Sequence, residues 1–244
     1  MKLAAASLVG LALFLWPFAG QGVPAPAPAI AVSVGTLLAL GLLEVGARQL
    51  DARLLALLAA IAAIDAALRS ALVSGIGGFS PIFFLVLCAG FVFGPAYGFL
   101  AGATSLLVSA LISGGIGPWL PYQVFATGWV GVAAGLAGQV SRRTWLLAVV
   151  GALMGFGFGA LMDVWDWTYF RGSPELGWTP GMPVGMALLH FGRFYLLTSL
   201  AYDAFRAGGN ALIVLLVGPP VLVAMRRMQA RLHLEVLADA RLPV

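Results

Sequence analysis

The residues best suited to chemistry in this chain are rings and amides, and they crowd into one stretch. Residues 117–129 read GPWLPYQVFATGW, bringing Trp119, Tyr122, Gln123 and Trp129 together with two prolines and no charge. Aromatic walls with a few fixed polar groups are what binding of a small flat solute requires. The same rings at a membrane interface would equally serve as headgroup anchors. Trp165 and Trp167 accompany Asp163 and Asp166, two carboxylates that could act as an acid/base pair or stand as solvated charges at a helix end. Asn210 offers another amide to a binding site, or a cap to its own helix.

Other chemistries lack their residues. Lys2 is the one lysine, so a G-x-x-x-x-G-K-[ST] phosphate loop cannot exist and ATP hydrolysis by that route is excluded. Cys88 is the one cysteine, set in an apolar run, and reads as a small buried hydrophobe rather than half of a disulfide or a metal ligand. No G-x-S-x-G occurs. Neither an enzyme, a cofactor nor a metal site is expected.

The elements that must position these residues are membrane helices. Hydrophobic residues make up 61% of the 244 and charged residues only 9%, against about 25% charged in a soluble domain. No charge falls between Lys2 and Glu44, or between Arg69 and Arg142. A spanning helix takes roughly 20 apolar residues. The runs predict an all-α polytopic membrane protein with spans at 3–19, 30–47, 54–72, 80–95, 97–113, 121–140, 144–163 and 208–226. GPAYG (94–98) and GGIGPWLP (114–121) break the longest run, because proline removes a backbone donor, and Pro121 suits the first turn of the helix after it.

Positive charge then sets orientation. With the N-terminus inside, eight crossings put Lys2, Arg48, Arg53, Arg142, Arg143, Arg226, Arg227, Arg231 and Arg241 on the inner side, leaving Arg69, Arg171, Arg193 and Arg206 outside or near that face. The net charge of +4 therefore marks topology, not nucleic-acid binding. His190 and His233 fall on opposite sides, which removes a two-histidine metal site. The apolar segment 183–201 carries His190 and Arg193 in its middle, costly at bilayer depth, and reads as a re-entrant or interfacial helix at the outer face. Residues 1–30 could be a secretory signal, but the apolar run is longer than usual for one and a retained helix is expected. On this scheme residues 114–120 form an outer loop, and Tyr122, Phe125 and Trp129 share one helix face. Trp165, Trp167, Tyr169 and Trp178 lie in an outer loop after Asp163, and Trp145 joins the inner aromatic belt.

Small residues mark packing faces. In residues 54–72 the alanines Ala56, Ala60, Ala63 and Ala67 recur at spacings of three and four, which lets another helix approach closely. Gly90, Gly94, Gly98 and Gly102 form one glycine row and Gly151, Gly155 and Gly159 another, both read as packing within the chain. Asp65 and Arg69, four apart on one helix, are expected to form an ion pair rather than a proton relay.

Residues 78–138, with Gly117, Pro118, Trp119, Pro121 and Gln123 as a G-P-W-x-P-x-Q element, resemble the substrate-binding S components of energy-coupling factor (ECF) transporters, and most of all their cobalamin-type branch. The resemblance continues through LMDVWDW (161–167) and TSLAYDAFRAGGNALIVLLVGPPVL (198–222). It implies a six-helix core at 49–235 that captures a vitamin-like solute at the outer face, with an added two-helix hairpin at 1–48 and a cytosolic tail at 236–244. The substrate-binding set would be Trp119, Tyr122, Gln123, Trp129, Trp165, Trp167 and Asn210. The resemblance also implies partners: a coupling membrane protein, met by an alanine motif that Ala56, Ala60, Ala63 and Ala67 match, and two ATPase subunits. The setting would be a bacterial plasma membrane and the solute cobalamin or a related corrinoid. A self-sufficient secondary transporter, with Asp65 coupled to protons, and a membrane protein without a ligand are the alternatives.

Overall fold

The uncharged runs become helices, and the helices end where glycine and proline interrupt them. The computed structural model describes residues 1–19, 25–46, 50–71, 82–170 and 173–239. In order these are α1 (Lys2–Leu15) with a 3-10 turn at Trp16–Ala19, α2 (Pro26–Gly46), α3 (Ala52–Ala71), α4 (Ile82–Phe93), α5 (Pro95–Ser113), α6 (Leu120–Val140), α7 (Thr144–Trp167), α8 (Val184–Thr198) and α9 (Leu200–Asp239). No strand occurs among the described residues, so the chain is an all-α polytopic membrane protein. Each of the eight expected segments holds a helix over most of its described residues. Five helical segments among them are long and apolar enough to cross a bilayer by themselves: Lys2–Ala19, Pro26–Val45, Pro95–Ser113, Thr144–Trp167 and Leu200–Arg231. The 12 residues of α4 rise about 18 Å, less than the hydrocarbon thickness of about 30 Å. Arg48, Arg171, Arg241 and the side chain of His233 lie outside the described residues.

Two tight joints shape the first half of the core. Gly94 separates α4 from α5 with φ of 98°, a conformation that favours glycine, and Pro95 opens α5. At the other end of α5, Gly114 adopts a left-handed cap (φ 67°) and the Gly115 N–H donates to the Ala110 carbonyl at 2.9 Å, a Schellman-type closure. The chain re-enters a helix through Leu120 and Pro121. Between these joints, α4, α5 and α6 touch backbone to backbone. A side-chain carbon built at Gly98 would lie 2.6 Å from the Gly131 carbonyl carbon, and one at Gly102 would lie 2.7 Å from that of Thr127. Gly90, Gly98 and Gly102 of the first glycine row are therefore intramolecular packing, as expected, whereas a side chain at Gly94 would meet nothing within 4 Å and that glycine serves the joint. α4 lies at the centre, with Val86, Leu87, Cys88 and Ala89 fully buried.

The second half is a ladder between α7 and α9, which run antiparallel. Gly151 meets Asn210, Gly155 meets Ala207 and Gly159 meets the Asp203 carboxylate. One rung further, Ser199 Oγ donates to Asp163 Oδ1 at 2.8 Å. Asp203 is ion-paired with Arg206, whose guanidinium also reaches the Gly155 carbonyl at 3.4 Å and lies 5.3 Å from the Phe158 ring centroid. These contacts correct the span limits. α7 continues to Trp167 and α9 begins at Leu200, because the charges that cut the expected spans find partners there, Asp203 in Arg206 one turn on and Asp163 in Ser199. Trp165 and Trp167 therefore occupy the last turn of α7 rather than a loop.

α8, at 15 residues, is about 22 Å long, too short to cross, and only Ser199 separates it from α9. His190 Nδ1 donates to the Gly177 carbonyl at 3.0 Å, pinning α8 to the preceding loop. The arginine-rich ends of the helices meet: Arg226 Nη2 donates to the Arg142 carbonyl at 2.7 Å. Lys2 pairs with Glu44 at 3.5 Å and donates to the Leu43 carbonyl at 2.9 Å, closing the α1–α2 hairpin. We call this the arginine end and the opposite one the tryptophan end.

The expected ion pair between Asp65 and Arg69 is not made. Both carboxylate oxygens of Asp65 and one guanidinium nitrogen of Arg69 are buried without a hydrogen-bond partner among the described residues. Asp65 is fully buried on the inward side of α3, with Leu58, Ile61, Ala62 and Ala66, whereas Ala56, Ala60, Ala63 and Ala67 are all exposed.

Candidate functional site

An open cleft of about 320 Å³ lies at the tryptophan end, where α6 meets α7. Trp119 and Gln123 line it from the start of α6, and Met162, Asp163, Trp165 and Asp166 from the end of α7. The two glycine-free turns that carry these residues are fixed locally. Trp119 Nε1 donates to the Gly115 carbonyl at 3.3 Å and the Gln123 N–H to the Trp119 carbonyl at 3.0 Å. On the facing side, Thr168 Oγ1 donates to the Trp165 carbonyl at 2.7 Å and closes α7. Tyr122 backs the cleft, its ring centroid 5.7 Å from that of Trp165.

The polar groups of this cleft are conspicuously free. Gln123 Oε1, Trp165 Nε1 and Asp163 Oδ2 are buried and have no hydrogen-bond partner among the described residues, and neither does the Tyr122 hydroxyl. Leaving a buried polar atom unpaired costs about 1–3 kcal/mol, so water or a polar ligand entering this cavity would be stabilised by them. Asp163 is only 8% exposed. It is not a solvated loop charge, whereas Asp166, which lines the same cleft, is exposed. The sequence pointed to Asp163 without its burial, which comes from Ser199 and α9.

Of the expected binding residues, the structure brings Trp119, Tyr122, Gln123 and Trp165 together and separates the other three. Trp129 shares a face with Tyr122 and Phe125, as its spacing predicts, but that face is covered by α1. Phe14 packs edge-on against Tyr122 at 5.0 Å and against Trp129 at 5.8 Å, and Gly10 gives room to Phe125 and Trp129. Trp129 Nε1 donates to Ser7 Oγ at 3.1 Å. Trp129 is thus an anchor for the N-terminal hairpin. Loss of one hydrogen bond of this kind is worth about 1 kcal/mol. A double-mutant cycle of Ser7→Ala and Trp129→Phe, read by thermal unfolding in detergent, is expected to show coupling of about that size, with solute affinity moved less than about threefold.

Trp167 belongs to a separate cluster. Its Nε1 donates to the Leu176 carbonyl at 2.6 Å, and its ring packs with Phe18 and Phe191 beside buried Trp178 and Phe194. It staples the loop at 173–183 and α8 to the 3-10 turn that follows α1. Asn210 is buried within α9, its Nδ2 3.3 Å from the Gly151 carbonyl. It therefore neither caps its helix nor reaches the cleft.

Among the described residues no group of three or more His, Cys, Asp or Glu could hold a metal ion. The fold and cleft together define a multi-pass membrane protein with a solute-sized, aromatic-walled recess at the tryptophan end. Residues 53–218 match the family model for the substrate-specific component of ECF transporters, which is more than half of the chain. The chain belongs to that family: it is a membrane-embedded, substrate-binding transport subunit whose partners form an ECF module of coupling protein and ATPases. No curated protein and no solved structure matches it.

Proposed function

We propose that this subunit captures a vitamin-like solute in the cleft between α6 and α7 and delivers it to a coupling protein that docks on the alanine face of α3. The carrying observation is the cleft itself, in which unpaired polar atoms of Gln123, Trp165 and Asp163 gather beside the indoles of Trp119 and Trp165. The arginine end faces the cytosol of a bacterial cell and the cleft faces the medium, in keeping with the excess of basic residues at Arg142, Arg143, Arg226 and Arg227. Ala56, Ala60, Ala63 and Ala67 form the docking stripe. Their exposure supports this reading, since no helix among the described residues covers them.

The corrinoid expected from the cobalamin-type resemblance is the finer part of the reading, and the cleft favours something smaller. Drug-sized ligands occupy pockets of roughly 300–1,000 Å³, and 320 Å³ is at the lower limit. A corrin macrocycle with its nucleotide tail exceeds that class. Calorimetry of the purified protein against a panel of vitamins, cobalamin included, tests the proposal. Binding of one member should weaken by at least about tenfold in Trp119→Ala and in Gln123→Ala, the size of loss expected for a buried contact. A ligand whose affinity ignores both substitutions would remove this cleft as the site.

A further inference from the structure

The cleft carries two carboxylates, Asp163 and Asp166, and among the described residues no basic side chain lines it. The arginine of α9 at this end is already committed. Arg206 is held by Asp203, reaches the Gly155 carbonyl and covers the Phe158 ring. Ser199 satisfies one oxygen of Asp163, and the other has no partner although the residue is more than nine-tenths buried. A carboxylate desolvated in this way is costly unless an opposite charge meets it. Around it stand two indoles, whose faces attract cations. Gln123 Oε1 and Asp163 Oδ2 are buried unpaired acceptors and Trp165 Nε1 a buried unpaired donor, while the Gln123 amide can also donate. The formal charge of the described lining is wholly negative, the reverse of what an anionic or carboxylate-bearing solute needs.

We infer that the solute is a small, flat heteroaromatic cation, laid against the indoles of Trp119 and Trp165 and charge-paired by Asp163, with Asp166 drawing it in at the rim. This rests on the reading of the cleft as the solute site. The cation supplies the missing charge for Asp163, and any N–H it carries meets Gln123 Oε1. A neutral or anionic ring of the same size would leave Asp163 uncompensated, which is how the site discriminates.

Titration calorimetry on the full-length protein in detergent, with three probes of one shape, tests this. They are 1-methylquinolinium, neutral quinoline and anionic quinoline-4-carboxylate, all at neutral pH. The methylated cation is expected to bind at least about tenfold tighter than quinoline, the carboxylate not measurably. Asp163→Asn should erase that preference. Asp166→Asn, at an exposed position whose loss leaves the fold intact, should weaken the cation several-fold and more so at low salt. Equal or tighter binding of quinoline or its carboxylate, or a cation affinity that ignores both substitutions, overturns the inference. If quinoline binds and Trp119→Ala abolishes it, the solute site stands and only its charge class falls. If none of the three probes binds, both the inference and the solute-site reading fall.

Discussion

Gly131→Leu is expected to lower the thermal midpoint of the purified protein by roughly 10 °C and to reduce the folded protein recovered from membranes severalfold. A side chain there has nowhere to go. Its first carbon would lie 2.9 Å from the Gly98 Cα and closer still to the Gly98 carbonyl, and the neighbours are backbone rather than flexible side chains. Overpacking costs about 1–3 kcal/mol when side chains can shift, and more when they cannot. At about 2–4 °C per kcal/mol for a chain of this size, three or more kcal/mol yields the stated shift. Gly35→Leu is the control: nothing lies within 4 Å of a side chain at that position. Equal melting of Gly131→Leu and the parent would mean that α5 and α6 do not touch as described.

Ala60→Trp should separate capture from delivery. Solute affinity in detergent is expected to stay within about twofold, while uptake by cells with the intact ECF module falls by more than tenfold. The indole would stand on the exposed stripe of α3, away from the buried Leu58, Ile61 and Ala66, so the fold is spared. The close approach that small residues permit between helices is lost. Leu216→Trp on α9, where the leucine is 70% exposed, adds the same bulk on another outward face and should leave uptake unchanged. Undiminished uptake by Ala60→Trp would move the docking surface off this stripe.

Helix number and the breaks at Gly94 and Gly114 were legible in the sequence because composition and backbone stereochemistry act locally. The limits of α7 and α9 were not, since Asp163, Asp203 and Arg206 look like span ends until Ser199 is seen to bond Asp163 and Arg206 to pair with Asp203 one turn away on α9. The same limit applied to the site. Trp119, Tyr122, Gln123 and Trp165 are brought together as their types suggested, yet nothing in a tryptophan says whether its neighbour is a ligand or Ser7. Trp129, Trp167 and Asn210 had the right chemistry and tertiary partners that consume it. The ion pair between Asp65 and Arg69 failed for a related reason: spacing of four permits a contact, but burial of Asp65 against the rest of the core does not make it.

The cleft borrows its two walls from different halves of the molecule. One wall belongs to the glycine-zipped trio α4, α5 and α6, the other to the α7–α9 ladder, and within each half backbone meets backbone with little slack. Neither wall can easily yield by itself. A cargo that fits poorly is therefore expected to be refused rather than accommodated, because the halves are themselves tied together, with Gln229 Nε2 of α9 donating to the Val92 carbonyl of α4 at 2.8 Å.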